Sequence, residues 1–382
     1  MATSNNSNNS NNSNNSNNSN NSNNSNNSNN SGLNQAELAS FGQSASFALS
    51  GAFQSAMLAF NAAPPNIVAA DFTGKISSAL RFRRLNARHR QHLIVSALMD
   101  GLRVTPQANP PAGSASATLF DVADPLLTLT LVTNTSSDCL KFWQKQIDQL
   151  RAQKWHRDER MSEIVLQQAD QISFLSLALA IGPQTHPWIG VLLGAAHEVA
   201  FRIATDMKFA LPMVRPAALA PDIAPVIQTP AHSAFPSGHA TEAFCAATIL
   251  GALFPDRAKN LRRMAARIAV NRGYAGVHFP VDHHAGAVLG DMLGRIILKA
   301  VFGIEILVPP PAAPLPAFIG GENSAPATAA IFGKTVEDYA LTGAAFAVVP
   351  VTAAIADGTE PGRPEILIQI SNSVLRETGL KV

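Results

Sequence analysis

The sequence has few of the features that mark a disulfide-stapled, metal-binding, membrane-spanning or nucleic-acid-binding chain. It has two cysteines, Cys139 and Cys245, among 382 residues. They lie far apart, lack metal-ligand spacing and sit in apolar, helix-like surroundings, so they read as buried thiols. The formal net charge is +2, which gives no whole-chain pull towards nucleic acid or an acidic membrane. The N-terminus shows no basic region, apolar core or small-residue cleavage site of a signal peptide. Two stretches are free of Asp, Glu, Lys and Arg and so are candidate bilayer spans by charge alone. Leu38 to Ala70 is studded with Ser, Gln and Gly and broken at Pro64-Pro65. Gln171 to His197 is interrupted between Gly182 and Pro187. Neither supplies the ~20 apolar residues that a span needs. These absences predict a soluble, cytoplasmic protein with no membrane span and no nucleic-acid partner.

What is present divides into four parts. Residues 1–32 are a Ser-Asn-Asn repeat without charge, too polar to offset its own ordering entropy, and are expected to be disordered. Residues 33–137 read as an N-terminal helical region. Within it, Leu33 to Ala62 and Phe72 to Val104 form two helical segments, and Pro106 to Gly113 forms a loop. Leu126 to Val132 fits either a short strand or the start of a helix. The basic cluster Arg81, Arg83, Arg84, Arg88 and Arg90 reads as a solvated helix face, because Phe82 is its one interleaved aromatic.

Residues 138–305 carry the strongest helical periodicity. Asp138 to Ala180 reads as one long helix or a broken pair, with Trp143, Ile147 and Leu150 on one stripe and Arg157-Asp-Glu-Arg160 as a solvated link. Further helices are expected over Pro187 to Phe209, from Ser237 to Leu253, and over Arg257 to Tyr274, with Arg262, Arg263 and Arg267 on an outer face. Pro280 starts another. Its Gly286, Gly290 and Gly294 allow close helix packing. Residues 306–382 form a Pro- and Ala-rich extension. No sustained period-two pattern was read anywhere, so the expected fold is all-α, a helical bundle.

The chemistry centres on Phe235-Pro-Ser237-Gly238-His239-Ala-Thr241. A Ser-Gly pair at a helix start is commonly a simple cap. It can also hold an anion, through free N–H groups and the positive end of the helix dipole. Lys208 lies upstream, separated by six residues from Arg215-Pro216, on the face that Phe201 and Ala204 share. His197 on that face reads as a hydrogen-bonded core histidine. Arg272 falls on the apolar stripe of its helix and needs a buried anionic partner, either Asp282 or a bound oxyanion. Five residues separate Arg272 from His278, and three separate His278 from Asp282.

Together the three segments resemble the signature of the superfamily that joins type 2 phosphatidic acid phosphatases, bacterial class A acid phosphatases and vanadium-dependent haloperoxidases. The resemblance spans roughly Lys208 to Gly290 and points to a soluble bacterial member with the helical bundle of that superfamily. It implies a phosphoric monoester hydrolase acting through a phosphohistidine on His278, with His239 as general acid and Asp282 orienting His278. Lys208, Arg215, Ser237, Gly238 and Arg272 would then bind phosphate. The implied partner is a phosphorylated small molecule or lipid head group, with no cofactor.

The haloperoxidase branch implies vanadate in the same pocket, with His278 as its ligand and halide and hydrogen peroxide as substrates. His278-Phe-Pro-Val-Asp282 resembles the phosphatase form of the last motif. The lead-in Thr229-Pro-Ala-His232-Ser-Ala-Phe235 is similar to the haloperoxidase form, which makes His232 a candidate halide or access residue. A third reading is a non-catalytic phosphate-binding protein, disfavoured because every motif residue is intact. Phosphatase is the expectation carried forward.

Overall fold

The computed structural model describes residues 77–304 apart from 111 and 183, together with 336, 351 and 363–379. The Ser-Asn repeat, the expected helix over Leu33 to Ala62 and most of the C-terminal extension lie outside the described residues. The protein is a helical bundle with one small sheet. Two short helices, α1 (Ser78–Arg84) and α2 (Ala87–Met99), lead into strands β1 (Leu102–Pro106), β2 (Ser114–Asp121) and β3 (Asp124–Val132). The strands pair antiparallel in the order β1-β2-β3.

The sheet decides Leu126 to Val132 in favour of the strand and adds two strands, β1 and β2, that the reading of residues 33–137 as a helical region did not include. Leu127-Thr-Leu-Thr-Leu131 does alternate: Leu127, Leu129 and Leu131 are buried, and Thr128 and Thr130 are not. The Thr hydroxyls pair across the ladder, Thr128 with Thr118 and Thr130 with Ser116, each at 2.8 Å. Such cross-strand pairs fix register. The second helical segment accordingly stops at Met99, and Leu102 starts a strand.

The region expected to be one helix or a pair is more broken than that. It comprises α3 (Ser137–Lys154), a 3-10 turn (Asp158–Arg160), α4 (Met161–Leu166) and α5 (Ile172–Ser176). Arg157 is not a solvated link. It is 6% exposed and donates to the carbonyls of Tyr274, Ala224 and Ile223 at 2.6–2.8 Å. One guanidinium thereby ties the proline-rich loop to a helix end.

The bundle proper is built from α6 (Pro187–Ala210), the short α7 (Pro216–Leu219), α8 (Gly238–Leu253), α9 (Ala258–Tyr274) and α10 (Pro280–Phe302). Helix α8 is the central rod: every residue from His239 to Leu253 is buried. Helix α10 lies directly against it. A methyl group at Gly286, Gly290 or Gly294 would run into Ser237 O, Thr241 O or the Thr248 side chain respectively. The glycine stripe therefore sets the α8–α10 distance.

Arg262 was expected on an outer face but is buried. It forms a two-pronged bridge to Asp291 at 2.8 and 2.9 Å, and Thr248 donates to the same carboxylate at 2.6 Å. A buried guanidinium needs such a partner, which α10 supplies. The last described helix, α11 (Glu365–Glu377), packs on α6 and α10. Its Glu377 accepts from the free N–H groups of Trp188 and Ile189 at the start of α6. Arg90, half-buried, lies over the Trp188 ring, whereas the other arginines of the basic cluster are exposed. Among the described residues no helix is long and apolar enough to cross a membrane.

Candidate active site

Between α6 and α8 the prolines punctuate the chain, Pro216 opening α7 and Pro221 a 3-10 turn (Pro221–Ile223), and this segment carries Arg215 and His232 across the ends of the bundle helices. Lys208 stands at the C-terminal end of α6, and Gly238 and His239 at the start of α8. Arg272 lies near the end of α9, and His278 in the turn before α10. These seven residues line a single pocket with Gln168, Ile227, Pro230 and Val277. The empty space within it is about 340 Å³, part of which is open solvent.

His278 is buried and held from both sides. Its Nδ1 lies 3.1 Å from Asp282 Oδ2, and its Nε2 lies 3.1 Å from Arg215 Nη1. A guanidinium can only donate, so Nε2 carries the lone pair and Nδ1 the proton. Burial, then the charges of Arg215 and Lys208, push the His278 pKa well below its ordinary value. The imidazole is therefore neutral, with its lone pair on the pocket side. Asp282 is fully buried, and its Oδ2 also accepts from the Phe279 N–H at 2.8 Å. Burial raises its pKa, opposed by that N–H and by Lys208 and Arg215. Trp143 packs edge-on against Phe279, and Gln146 accepts from the Val281 N–H. Helix α3 thus fixes the turn that carries His278.

The three cations are buried. Arg215 also donates to the carbonyls of Val277 and His232, and burial brings its pKa down to about 10. Lys208 Nζ donates to Ser233 O at 2.9 Å, and burial followed by the Arg215 charge lowers its pKa. Arg272 is 1% exposed and makes no bridge to Asp282. Its Nη2 donates to Ile164 O and Gln167 Oε1, while Nε and Nη1 have no hydrogen-bond partner. Two buried guanidinium donors left over in a pocket wall are what an oxyanion site requires.

The remaining predicted residues are placed as follows. His239 is buried, and its Nε2 lies 3.1 Å from Gln167 O. Burial and the Arg272 charge push its pKa well below the ordinary value. His232 Nδ1 lies 3.0 Å from Arg215 Nη2, its Nε2 has no partner, and burial lowers its pKa to about 4. Ser237 is fully buried and is not part of the pocket wall. Its Oγ caps α8 by accepting from the Ala240 N–H, and its own N–H donates to Asp282 O at 2.9 Å. His197 is buried with Nε2 unpartnered, so that nitrogen makes no hydrogen bond. Sequence reasoning passed over Glu242, a buried carboxylate one turn along α8. The signal was a single charge just ahead of the apolar run from Ala243 to Leu253.

Residues 188–305 match the PAP2 superfamily. That is the superfamily the three spaced motifs resemble, and the matched segment contains every residue placed in the pocket above except Gln168. Over 123 residues the chain is 33% identical to decaprenylphosphoryl-5-phosphoribose phosphatase of Mycobacterium tuberculosis, in strains CDC 1551 / Oshkosh and ATCC 25618 / H37Rv. The shared stretch is 31% of this chain and spans 64% of the length of those relatives. The sheet, α1 to α5 and α11 lie outside the PAP2 match.

Proposed function

We propose that the protein is a phosphatase, and more narrowly a phosphoric monoester hydrolase that works through a phosphohistidine on His278. The observation that carries this reading is the posture of His278, with Nδ1 on Asp282 and Nε2 beside Arg215 in a wall of three cations. The PAP2 match and the phosphatase relatives support the same class. The substrate is a phosphorylated small molecule or lipid head group.

In the first step Arg215 Nη1 turns from the His278 ring to a phosphoryl oxygen, the freed Nε2 lone pair of His278 attacks phosphorus, and the bond to the ester oxygen breaks. The departing oxygen takes a proton from His239. In the second step water attacks phosphorus, the N–P bond breaks, and the water proton goes to His239. Lys208, Arg215 and Arg272 match the charge that spreads over the non-bridging oxygens, and the Gly238 backbone lies beside them. Asp282 steadies the charge that grows on His278. His239 must first gain a proton, and a bound dianion next to Arg272 favours that by offsetting the positive field around the ring.

The test is hydrolysis of p-nitrophenyl phosphate, inhibited by vanadate, with acid-labile phosphate trapped on His278. Phosphate binding without turnover would leave a non-catalytic anion-binding protein. The alternative reading is a vanadate-dependent haloperoxidase, and it draws on the unpartnered Nε2 of His232 in the pocket wall. Vanadate is a tetrahedral oxyanion of phosphate-like charge, and the leftover Arg272 donors fit it equally well. Lys208, Arg215, Arg272 and His278 would hold it. When bound, it supplies the activation of hydrogen peroxide for halide oxidation. Bromide oxidation that depends on added vanadate would select this reading.

A further inference from the structure

One residue outside the PAP2 match touches both the acid and a cation of the pocket. Gln167 caps the end of α4 and is 0% exposed. Its backbone carbonyl lies 3.1 Å from His239 Nε2. Its side-chain Oε1 accepts from Asn271 Nδ2 at 3.0 Å and from Arg272 Nη2 at 3.5 Å. The Arg272 contact is long, but Ile164 O, one turn earlier, takes the same Nη2 at 3.0 Å. A guanidinium only donates, so the side-chain atom that faces it is the oxygen. The end of α4 is itself strapped to α9. Glu163 accepts from Arg267 Nε at 2.7 Å and from Asn271 Nδ2 at 2.9 Å, and the Gln167 N–H donates to Glu163 O at 2.8 Å. Gln167 Nε2, by contrast, is buried without a partner. A buried amide with an unpaired donor works against folding, so stability alone does not account for a glutamine here.

We infer that Gln167 is a positioning residue for the phosphoryl transfer: its carbonyl holds His239 with a proton on Nε2, so that Nδ1 gives and recovers the catalytic proton, and its side chain keeps Arg272 turned with Nε and Nη1 left for the oxyanion. The inference rests on the phosphatase reading above. A carbonyl only accepts, so Nε2 keeps its proton whether the ring is neutral or charged. This is the ring's one hydrogen bond among the described residues. The proton that moves is therefore the one on Nδ1. It passes to the ester oxygen as the P–O bond breaks, and Nδ1 takes one back from the attacking water. The carbonyl also favours the charged ring: burial and the Arg272 charge lower the His239 pKa, and the bond to Gln167 raises it. Arg272 spends Nη2 on the end of α4, and its other donors, Nε and Nη1, stay unpartnered. One buried residue thus sets the acid and the cation relative to each other.

The test compares two substrates and reads the tautomer directly, on the full chain. Gln167→Met keeps the side-chain length and removes Oε1, so the peptide loses the anchor that fixes its carbonyl against His239. Phenyl phosphate, with the poorer leaving group, needs the acid more than p-nitrophenyl phosphate does. Gln167→Met should therefore lose about tenfold more kcat on phenyl phosphate than on p-nitrophenyl phosphate, part of the ~10²–10⁴ that a general acid supplies. Gln167→Glu keeps an oxygen towards Asn271 and Arg272. It should hold the ratio of the two kcat values within about threefold of the parent, while KM rises because its charge competes with the substrate for Arg272. Ring-nitrogen NMR with isotope-labelled histidine, the His239 signals being assigned with His239→Asn, should show the neutral ring protonated on Nε2. Should Gln167→Met not fold, Asn271→Ala, which removes one of the two donors to Oε1, should tilt the ratio in the same direction by less. Equal losses on both substrates in a folded variant, or a neutral His239 protonated on Nδ1, would overturn the inference and leave the phosphatase reading intact. A parent that hydrolyses neither substrate would overturn both.

Discussion

Arg215 and His278 meet across the pocket, Nη1 to Nε2 at 3.1 Å, while the other ring nitrogen of His278 lies 3.1 Å from Asp282. The arrangement fixes the tautomer without any bound ligand. It follows that His278→Ala should lower phosphatase kcat by on the order of 10³ or more while the fold survives. Asp282→Asn should cost less, because Asp282 orients the ring and does not react. Steady-state kinetics with p-nitrophenyl phosphate checks both. A His278→Ala protein with more than a tenth of the parent rate would remove His278 from its assigned role.

The two histidines impose opposite demands on pH. His278 must be neutral, and burial beside Arg215 and Lys208 keeps it so far into the acid range. His239 must be protonated for leaving-group transfer, and burial beside Arg272 disfavours that. Raising the pH therefore removes the acid, whereas lowering it does not soon remove the nucleophile. Turnover should be greatest on the mildly acidic side and fall as pH rises. His239→Asn should lower kcat by about 10²–10⁴ and flatten that alkaline decline. A parent kcat that climbs steadily from pH 6 to 9 would contradict the assignment.

The placement of these residues shows which parts of the molecule the sequence discloses. Arg272 was legible because a charge on an apolar stripe needs a buried partner. Lys208, Arg215, Gly238, His239 and His278 were legible as a set only through the resemblance of their spacing to a known superfamily, since a glycine at a helix start is by itself commonly a cap. The glycines of α10 were legible because small residues at four-residue steps line one helix face. Arg157 and Arg262 were misread because their partners are not local. Backbone carbonyls some 66–117 residues away satisfy Arg157, and Asp291 satisfies Arg262. A charge run looks solvated until the fold supplies those acceptors. Strands β1 and β2 were missed for a different reason. In β2 the alternating residues are Ser, Ala and Thr, small enough to mask the period, and only β3 shows it plainly.

Arg157 gives a stability prediction away from the chemistry. Its guanidinium satisfies the carbonyls of Ile223, Ala224 and Tyr274, joining the loop between α6 and α8 to the end of α9. Arg157→Met keeps much of the volume and strands those acceptors. The cost should be about 3 kcal/mol, given ~1–3 kcal/mol for each buried group left without a partner and some relief from water. Thermal unfolding should drop by about 6–12 °C. Anion affinity should fall as well, because this loop continues into the segment bearing His232. An unfolding midpoint within 2 °C of the parent would show that the three contacts do not stabilise the native state.

His232 separates the two branches of chemistry. Its Nδ1 lies 3.0 Å from Arg215 Nη2, which can only donate, and 3.1 Å from the Ser233 carbonyl, which can only accept, so these two contacts alone do not fix the ring tautomer. Nε2 has no protein partner and belongs to the pocket wall. As a phosphatase residue it can guide access or touch one phosphate oxygen, but the charge of the anion is already matched by Lys208, Arg215 and Arg272. His232→Ala should then change phosphatase kcat by less than about tenfold, with any larger effect confined to KM, because uniform binding is lost and not transition-state binding. In a haloperoxidase the same nitrogen would stand beside the reacting oxygens, and the substitution would alter halide preference while vanadate stayed bound. The phosphatase outcome is the one expected. Vanadate-dependent bromide or iodide oxidation that changes with His232→Ala, in a protein without phosphomonoesterase activity, would reverse it.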